Sequence, residues 1–118
     1  MAKDLFHVTQ EQSVNIVELA LPRTLDSGEF DRLNESLLGR IGTEPHGRWV
    51  LDLSNLSYMG SSALGLMVNI RQRVKQADGR LVLCGMSPRL VQIFATCCLE
   101  RLFTIRNTRQ EALRAIGR

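Results

Sequence analysis

Residues 49–53, Trp-Val-Leu-Asp-Leu, show almost no alternation between apolar and polar side chains. A strand of that composition is apolar on both faces and must be covered on both, as the inner strands of layered α/β folds are. Leu81-Val82-Leu83-Cys84 is the next apolar strand further along the chain. Between the two runs, Ala63, Leu66, Met67, Ile70, Val74 and Ala77 fall at i, i+3, i+4, i+7, i+11 and i+14, a single helical stripe. That spacing predicts a helix over 61–77, stopped by Asp78-Gly79. Asn69, Arg71, Gln72, Arg73, Lys75 and Gln76 then face water.

The remaining segments extend the same alternation. Leu5 to Thr9 and Ser13 to Leu19 read as strands, with Gln10-Glu11-Gln12 as a hairpin loop, so the chain opens on an antiparallel pair. Phe30, Leu33, Leu37, Leu38 and Ile41 predict a helix over 27–41, with Asp26 or Ser27 as its cap. Ser87-Pro88 starts a third helix, with Val91, Phe94, Ala95 and Cys98 as its inner face. Leu102 to Ile105 is a short last strand, and Asn107 or Thr108 caps a final helix through Ala115. The order β-β-α-β-α-β-α-β-α implies a mixed, mainly parallel sheet opened by an antiparallel hairpin and covered by about four helices.

Composition narrows the function. The 118 residues are expected to form one domain, 1–118. Hydrophobic residues at 44% and charged ones at 23% are ordinary globular usage. No apolar run approaches the ~18 residues of a membrane span, and MAKDLFHVTQEQ turns polar too soon for a signal peptide. The expected location is the cytoplasm, without membrane insertion. A net charge of +3 is modest, and one Trp and one Tyr are few for stacking bases, so no direct nucleic-acid contact is expected. Cys84, Cys97 and Cys98 have neither disulfide nor zinc-site spacing and read as buried thiols. No metal site and no cofactor are expected.

Two adjacent hydroxyls, Ser61 and Ser62, stand where a strand gives way to the 61–77 helix, in SYMGSSALG (57–65). Functional sites of open α/β sheets lie at such junctions. Four readings compete. A serine there can cap the helix, worth about 1 kcal/mol. Gly60 and Gly65 have a phosphate-loop spacing, but Leu66-Met67 stands where the loop's Lys and Ser/Thr would be. A nucleophilic serine needs a base; the chain has only His7 and His46, and no G-x-S-x-G elbow. Finally, an exposed serine on a strand-to-helix loop is a kinase substrate, and its phosphate adds about −1.5 to −2 charge to whatever surface a partner meets.

Leu51-Asp52-Leu53-Ser54, the Ser-Ser-x-Leu-Gly loop (61–65), Asp78-Gly79-Arg80-Leu81 and Leu102-Phe103-x-Ile105 together resemble the STAS domain of bacterial anti-sigma factor antagonists, over nearly the whole chain. The resemblance implies a binding protein rather than an enzyme. Such a protein captures an anti-sigma factor that is also a serine kinase with a GHKL-type ATP site, which frees a sigma factor to start transcription. Phosphorylation of the loop serine ends the capture, and a serine phosphatase reverses it. By position the acceptor is Ser62, with Ser61 beside it as the lesser candidate. Asp26 matches an acidic family position near the same surface, and it serves equally well as a helix cap. The family loop usually reads Asp-Ser-Ser-Gly-Leu-Gly; here Gly60 replaces the Asp and Ala63 the Gly. The expected partner-binding residues are Asp26, Tyr58, Met59, Gly60, Ser61, Ser62, Asn69, Arg71 and Arg73, with Tyr58 and Met59 as exposed apolar anchors. The alternative is a STAS scaffold subunit, not phosphorylated, in a stress-sensing assembly or transport complex.

Overall fold

The computed structural model describes residues 5–22 and 25–117. Strand β1 (Phe6–Glu11) and strand β2 (Val14–Leu19) open the chain. Helix α1 (Ser27–Gly42), strand β3 (Arg48–Asp52), helix α2 (Ser61–Gln76), strand β4 (Arg80–Cys84) and helix α3 (Pro88–Thr96) follow. A 3-10 turn (Glu100–Leu102), strand β5 (Thr104–Arg106) and helix α4 (Arg109–Ile116) complete it. The strands form one sheet in chain order, β1-β2-β3-β4-β5. The β1–β2 pair is antiparallel and all other pairs are parallel.

That order dictates where the helices go. The three crossovers from β2 to β5 each step to the next strand in the same direction. Right-handed crossovers that advance one way place their helices on one face. Accordingly α1, α2 and α3 share one core with Val17, Leu19, Trp49, Leu51, Leu53 and Leu83. Side chains alternate along a strand, so Val14, Ile16, Val50, Val82 and Cys84 point the other way. There they meet Ala112, Leu113 and Ile116 of α4. The lack of alternation in β3 and β4 reflects this cover on both faces. No helix among the described residues is long and apolar enough to cross a membrane.

Four local expectations need correction. The hairpin loop is not Gln10-Glu11-Gln12. Glu11 pairs with Val14, which leaves Gln12 and Ser13 as a two-residue turn, both left-handed at φ 54 and 65. Two positive φ values match the twist of the flanking strands, and with no Asn-Gly pair at the turn nothing local announced them. On α3, Leu90 and Phe94 are buried, while Val91 is 49% exposed and Ala95 and Cys98 face solvent. The helix stops at Thr96 and Cys98 turns left-handed at φ 58, so the stripe could not run on to residue 98. Phe94 sets the phase by packing edge-on to Phe103, with ring centroids 5.8 Å apart. Of the three thiols only Cys84 is buried; Cys97 and Cys98 are exposed at the end of α3. The last strand also starts later than predicted, at Thr104, after Leu102 has closed the 3-10 turn.

Candidate functional site

The segment between β3 and α2 is pinned at every third residue. Leu53, Leu56 and Met59 are buried, while Ser54, Asn55, Ser57 and Tyr58 are exposed. The Leu53 amide donates to the Cys84 carbonyl (2.9 Å), and the Leu56 amide to the Leu53 carbonyl (3.0 Å). Met59, at 3% exposure, is therefore an anchor beneath the loop and not the exposed contact expected; Tyr58, at 42%, is exposed.

The N-cap of α2 is Gly60, in an extended conformation, and no side chain caps the helix. Ser61 and Ser62 are the first two helical residues, both exposed. The capping reading of the serines fails on this geometry, because an N-cap side chain must precede the first turn to reach back to its amides. The orphan amides of the first turn thus lack a side-chain partner.

A cleft of about 600 Å³ opens at this helix start. It is walled by Leu21, Pro22 and Leu25 from the β2–α1 connection, by residues 58–63, and by Arg89 in the first turn of α3. All these segments follow the carboxyl ends of parallel strands, where ligands of open α/β sheets bind. Arg89 lies over the Tyr58 ring, its guanidinium carbon 5.6 Å from the centroid, a cation–π contact. Arg89 is the only charged residue among the described residues lining the cleft. No histidine is among them either: His7 is exposed on β1, and His46 pairs with Asp78 at 3.2 Å in an exposed contact.

The other expected contact residues lie apart from the cleft lining. Asp26 caps α1 in a reciprocal box: its carboxylate accepts from the Glu29 amide (2.7 Å), and its own amide donates to Glu29 Oε1 (3.3 Å). Its neighbour Leu25 lines the cleft. Asn69 donates to Asn34 of α1 (3.4 Å). Arg71 Nε donates to the Leu102 carbonyl (2.8 Å). Arg73 lies beside Gly42 of α1. These three sit about 12–18 Å along α2 from Ser61, at 1.5 Å per residue.

A second polar cluster lies on the α4 face. Parallel register sets Glu18 of β2 beside Asp52 of β3, two carboxylates one strand spacing apart, which would repel. Arg109, at the start of α4, resolves this. Its Nε (3.0 Å) and Nη2 (2.8 Å) donate to Asp52 Oδ2, Nη2 also to Glu18 Oε2 (2.8 Å), and Nη1 to Glu11 Oε2 (3.2 Å). Asp52 Oδ1 accepts from the Ser54 amide (2.9 Å) and the Ser54 hydroxyl. Burial pushes the Asp52 carboxyl up, but the Ser54 hydrogen bonds and Arg109 outweigh it, and its pKa is lowered overall. Arg109 is held still more firmly protonated, first by its hydrogen bonds to Asp52. Burial, then the Asp52 charge, pushes the Cys84 thiol up to about 12. Gly85, with φ +74, passes so close that a β-carbon there would meet Ser54 and Asp52. The cluster fixes the end of β3, where the loop bearing the serines departs. Sequence reading missed Arg109; the available signal was the matched places of Glu18 and Asp52 in neighbouring strands.

Comparison with known proteins agrees with this architecture. The STAS domain family model matches residues 7–112. The chain is 28% identical over 109 residues to the anti-sigma-B factor antagonist of Listeria monocytogenes, covering 92% of this chain and 87% of that one. An anti-sigma-factor antagonist (STAS) domain protein from Planctomyces limnophilus superposes with a TM-score of 0.83 at 25% identity, over 96% of this chain and 98% of that one. The Bacillus cell fate determinant SpoIIAA in its phosphorylated form shares the fold, with a TM-score of 0.65 at 19% identity over 94% and 98% of the two chains.

Proposed function

The chain belongs to the STAS domain family, and from that premise we propose that it is an anti-sigma factor antagonist whose capture surface is the cleft at the start of α2. Its partner is an anti-sigma factor that is also a GHKL-type serine kinase. Capture frees a sigma factor in the cytoplasm, and the chain itself acts by binding, without catalysis. Phosphorylation of Ser62, with Ser61 as the lesser acceptor, ends capture, and a serine phosphatase restores it.

One observation carries the reading: two exposed serines open a helix, beside exposed Tyr58 and Arg89, on the rim of an open cleft. A phosphate there adds about −1.5 to −2 charge. The uncapped first-turn amides and the helix dipole accommodate it locally, so the fold survives while the docking face changes sign. Relatives named as anti-sigma factor antagonists support the general role.

The test is a titration of the cognate anti-sigma factor with two variants. Ser62→Ala is expected to bind as the parent does and Ser62→Asp at least about tenfold more weakly, a difference of 1.4 kcal/mol. Equal affinities reject the switch. Phosphopeptide mass spectrometry on protein from its own cells locates the modified serine. Gly60, in place of the family's Asp, favours a second reading, a STAS subunit that is not phosphorylated within a larger assembly. Size-exclusion chromatography of the native protein at the megadalton scale would support it.

A further inference from the structure

We propose that Arg89 is the built-in receptor for a phosphoryl group on Ser62, leaving the Tyr58 ring to clamp the phosphate across the cleft. The inference rests on the reading of Ser62 as the phosphoacceptor. Ser62 and Arg89 open consecutive helices that follow neighbouring strands β3 and β4, and both line the one cleft. Among the described residues Arg89 has no hydrogen bond and no carboxylate partner; its contact is the face of exposed Tyr58. The cleft lining described here contains no acidic residue. With Gly60 in the family's acidic position, no carboxylate among the described lining residues competes for the guanidinium or repels a phosphate.

Charge-assisted, bidentate binding of phosphate by arginine is stronger than an exposed cation–π contact. The phosphorylated state thus draws Arg89 off the ring. In the transfer itself, Ser62 Oγ attacks the γ-phosphorus of ATP held by the kinase. The new O–P bond forms as the bond to the β,γ-bridging oxygen breaks; ADP departs, and the hydroxyl proton passes to a base on the kinase. Arg89 takes no part in that step and holds its product. One modification then changes two features of the docking face: it adds a dianion at Ser62 and withdraws the cation from Tyr58.

The experiment uses the full chain with Ser62 phosphorylated through genetically encoded phosphoserine, so no kinase is required. Phosphorus NMR titration gives the second phosphate pKa, about 6 for a free phosphoserine. With Arg89 present it is expected at least about 0.5 unit below its value in Arg89→Ala, because a neighbouring cation favours the dianion. Arg89→Lys restores part of the shift. The Arg89 δ-methylene protons, shifted by the Tyr58 ring before phosphorylation, move toward ordinary values after it. Equal phosphate pKa values in parent and Arg89→Ala, or Arg89 protons that stay ring-shifted, overturn the clamp. The failure of the underlying reading looks different: Ser62 is then unmodified in native cells, whatever the phosphate titration shows.

Discussion

Arg109→Met tests the polar cluster directly. Methionine keeps an unbranched side chain of similar reach but deletes every donor. Asp52, only 7% exposed, would keep the Ser54 donors on Oδ1 and lose both bonds to Oδ2, with Glu18 still beside it. Removing one partner of a fully buried pair costs about 3–5 kcal/mol. The Arg109 side chain is 32% exposed, so water replaces part of what is lost, and we expect about 2 kcal/mol. For 118 residues, at roughly 2.1 cal/mol/K of unfolding entropy each, that lowers Tm by about 8 °C. The pH dependence supplies the sharper check. A carboxyl whose folded pKa lies below its unfolded value contributes stability above the unfolded value, about 3.9, and loses it as pH falls through the folded pKa. Asp52 is such a group in the parent. In the variant the lowering by Arg109 is gone and burial is opposed by the Ser54 hydrogen bonds alone, so the folded-state pKa of Asp52 rises relative to the parent's. The stability gap should therefore be full at pH 7 and narrow as pH falls through the carboxylate range, where Asp52 of the variant protonates before that of the parent. Reversible unfolding, followed by the fluorescence of buried Trp49 at several pH values, measures it. A gap below about 0.5 kcal/mol at pH 7, or one unchanged down to pH 3.5, would refute the reasoning.

Other perturbations separate the two faces of the sheet. Gly60→Asp places the family's carboxylate at the N-cap of α2, where a β-carbon meets nothing nearer than 3.8 Å; thermal unfolding should show a gain of about 0.5–1.5 kcal/mol from capping and reduced chain freedom. Gly85→Ala forces a β-carbon into Ser54 and Asp52 at a positive φ, and a loss of at least about 2 kcal/mol is expected in urea unfolding. In a thiol-labelling assay at pH 8 the folded protein should release two equivalents promptly, from exposed Cys97 and Cys98. The third, Cys84, should appear only on unfolding, because it is buried with its pKa near 12.

The sheet and its helices were legible because each strand and stripe is coded locally. The unalternating run at 49–53 correctly announced cover on both faces, and the serine-bearing junction fell at the right end of the sheet. What was not legible depends on distance along the chain or on chain phase. Arg109 meets partners 57, 91 and 98 residues away. Arg89 and Leu21 join residues 58–63 only through the fold. The inner face of α3 was misjudged because apolar residues stand on both sides of Phe94, and only the core decides between Leu90 and Val91. The serines looked like caps because Ser at a helix start usually is one; a glycine one residue earlier took the position.

In this sheet every hydrogen-bonded neighbour is also the next strand along the chain. Assembly can therefore proceed by accretion, each new strand adding to an edge already in place, with no gap held open for a later segment. α4 follows every strand in chain order, and until it docks, the patch formed by Val14, Ile16, Val50 and Val82 lacks the cover of Ala112, Leu113 and Ile116. A ribosome-bound chain stalled before Arg109 would thus present a complete sheet with one greasy, unsealed flank, the species on which chaperones and proteases act. The same arginine that reconciles three carboxylates is the first residue of that closing helix, so sealing the flank and neutralising the charges are a single late event.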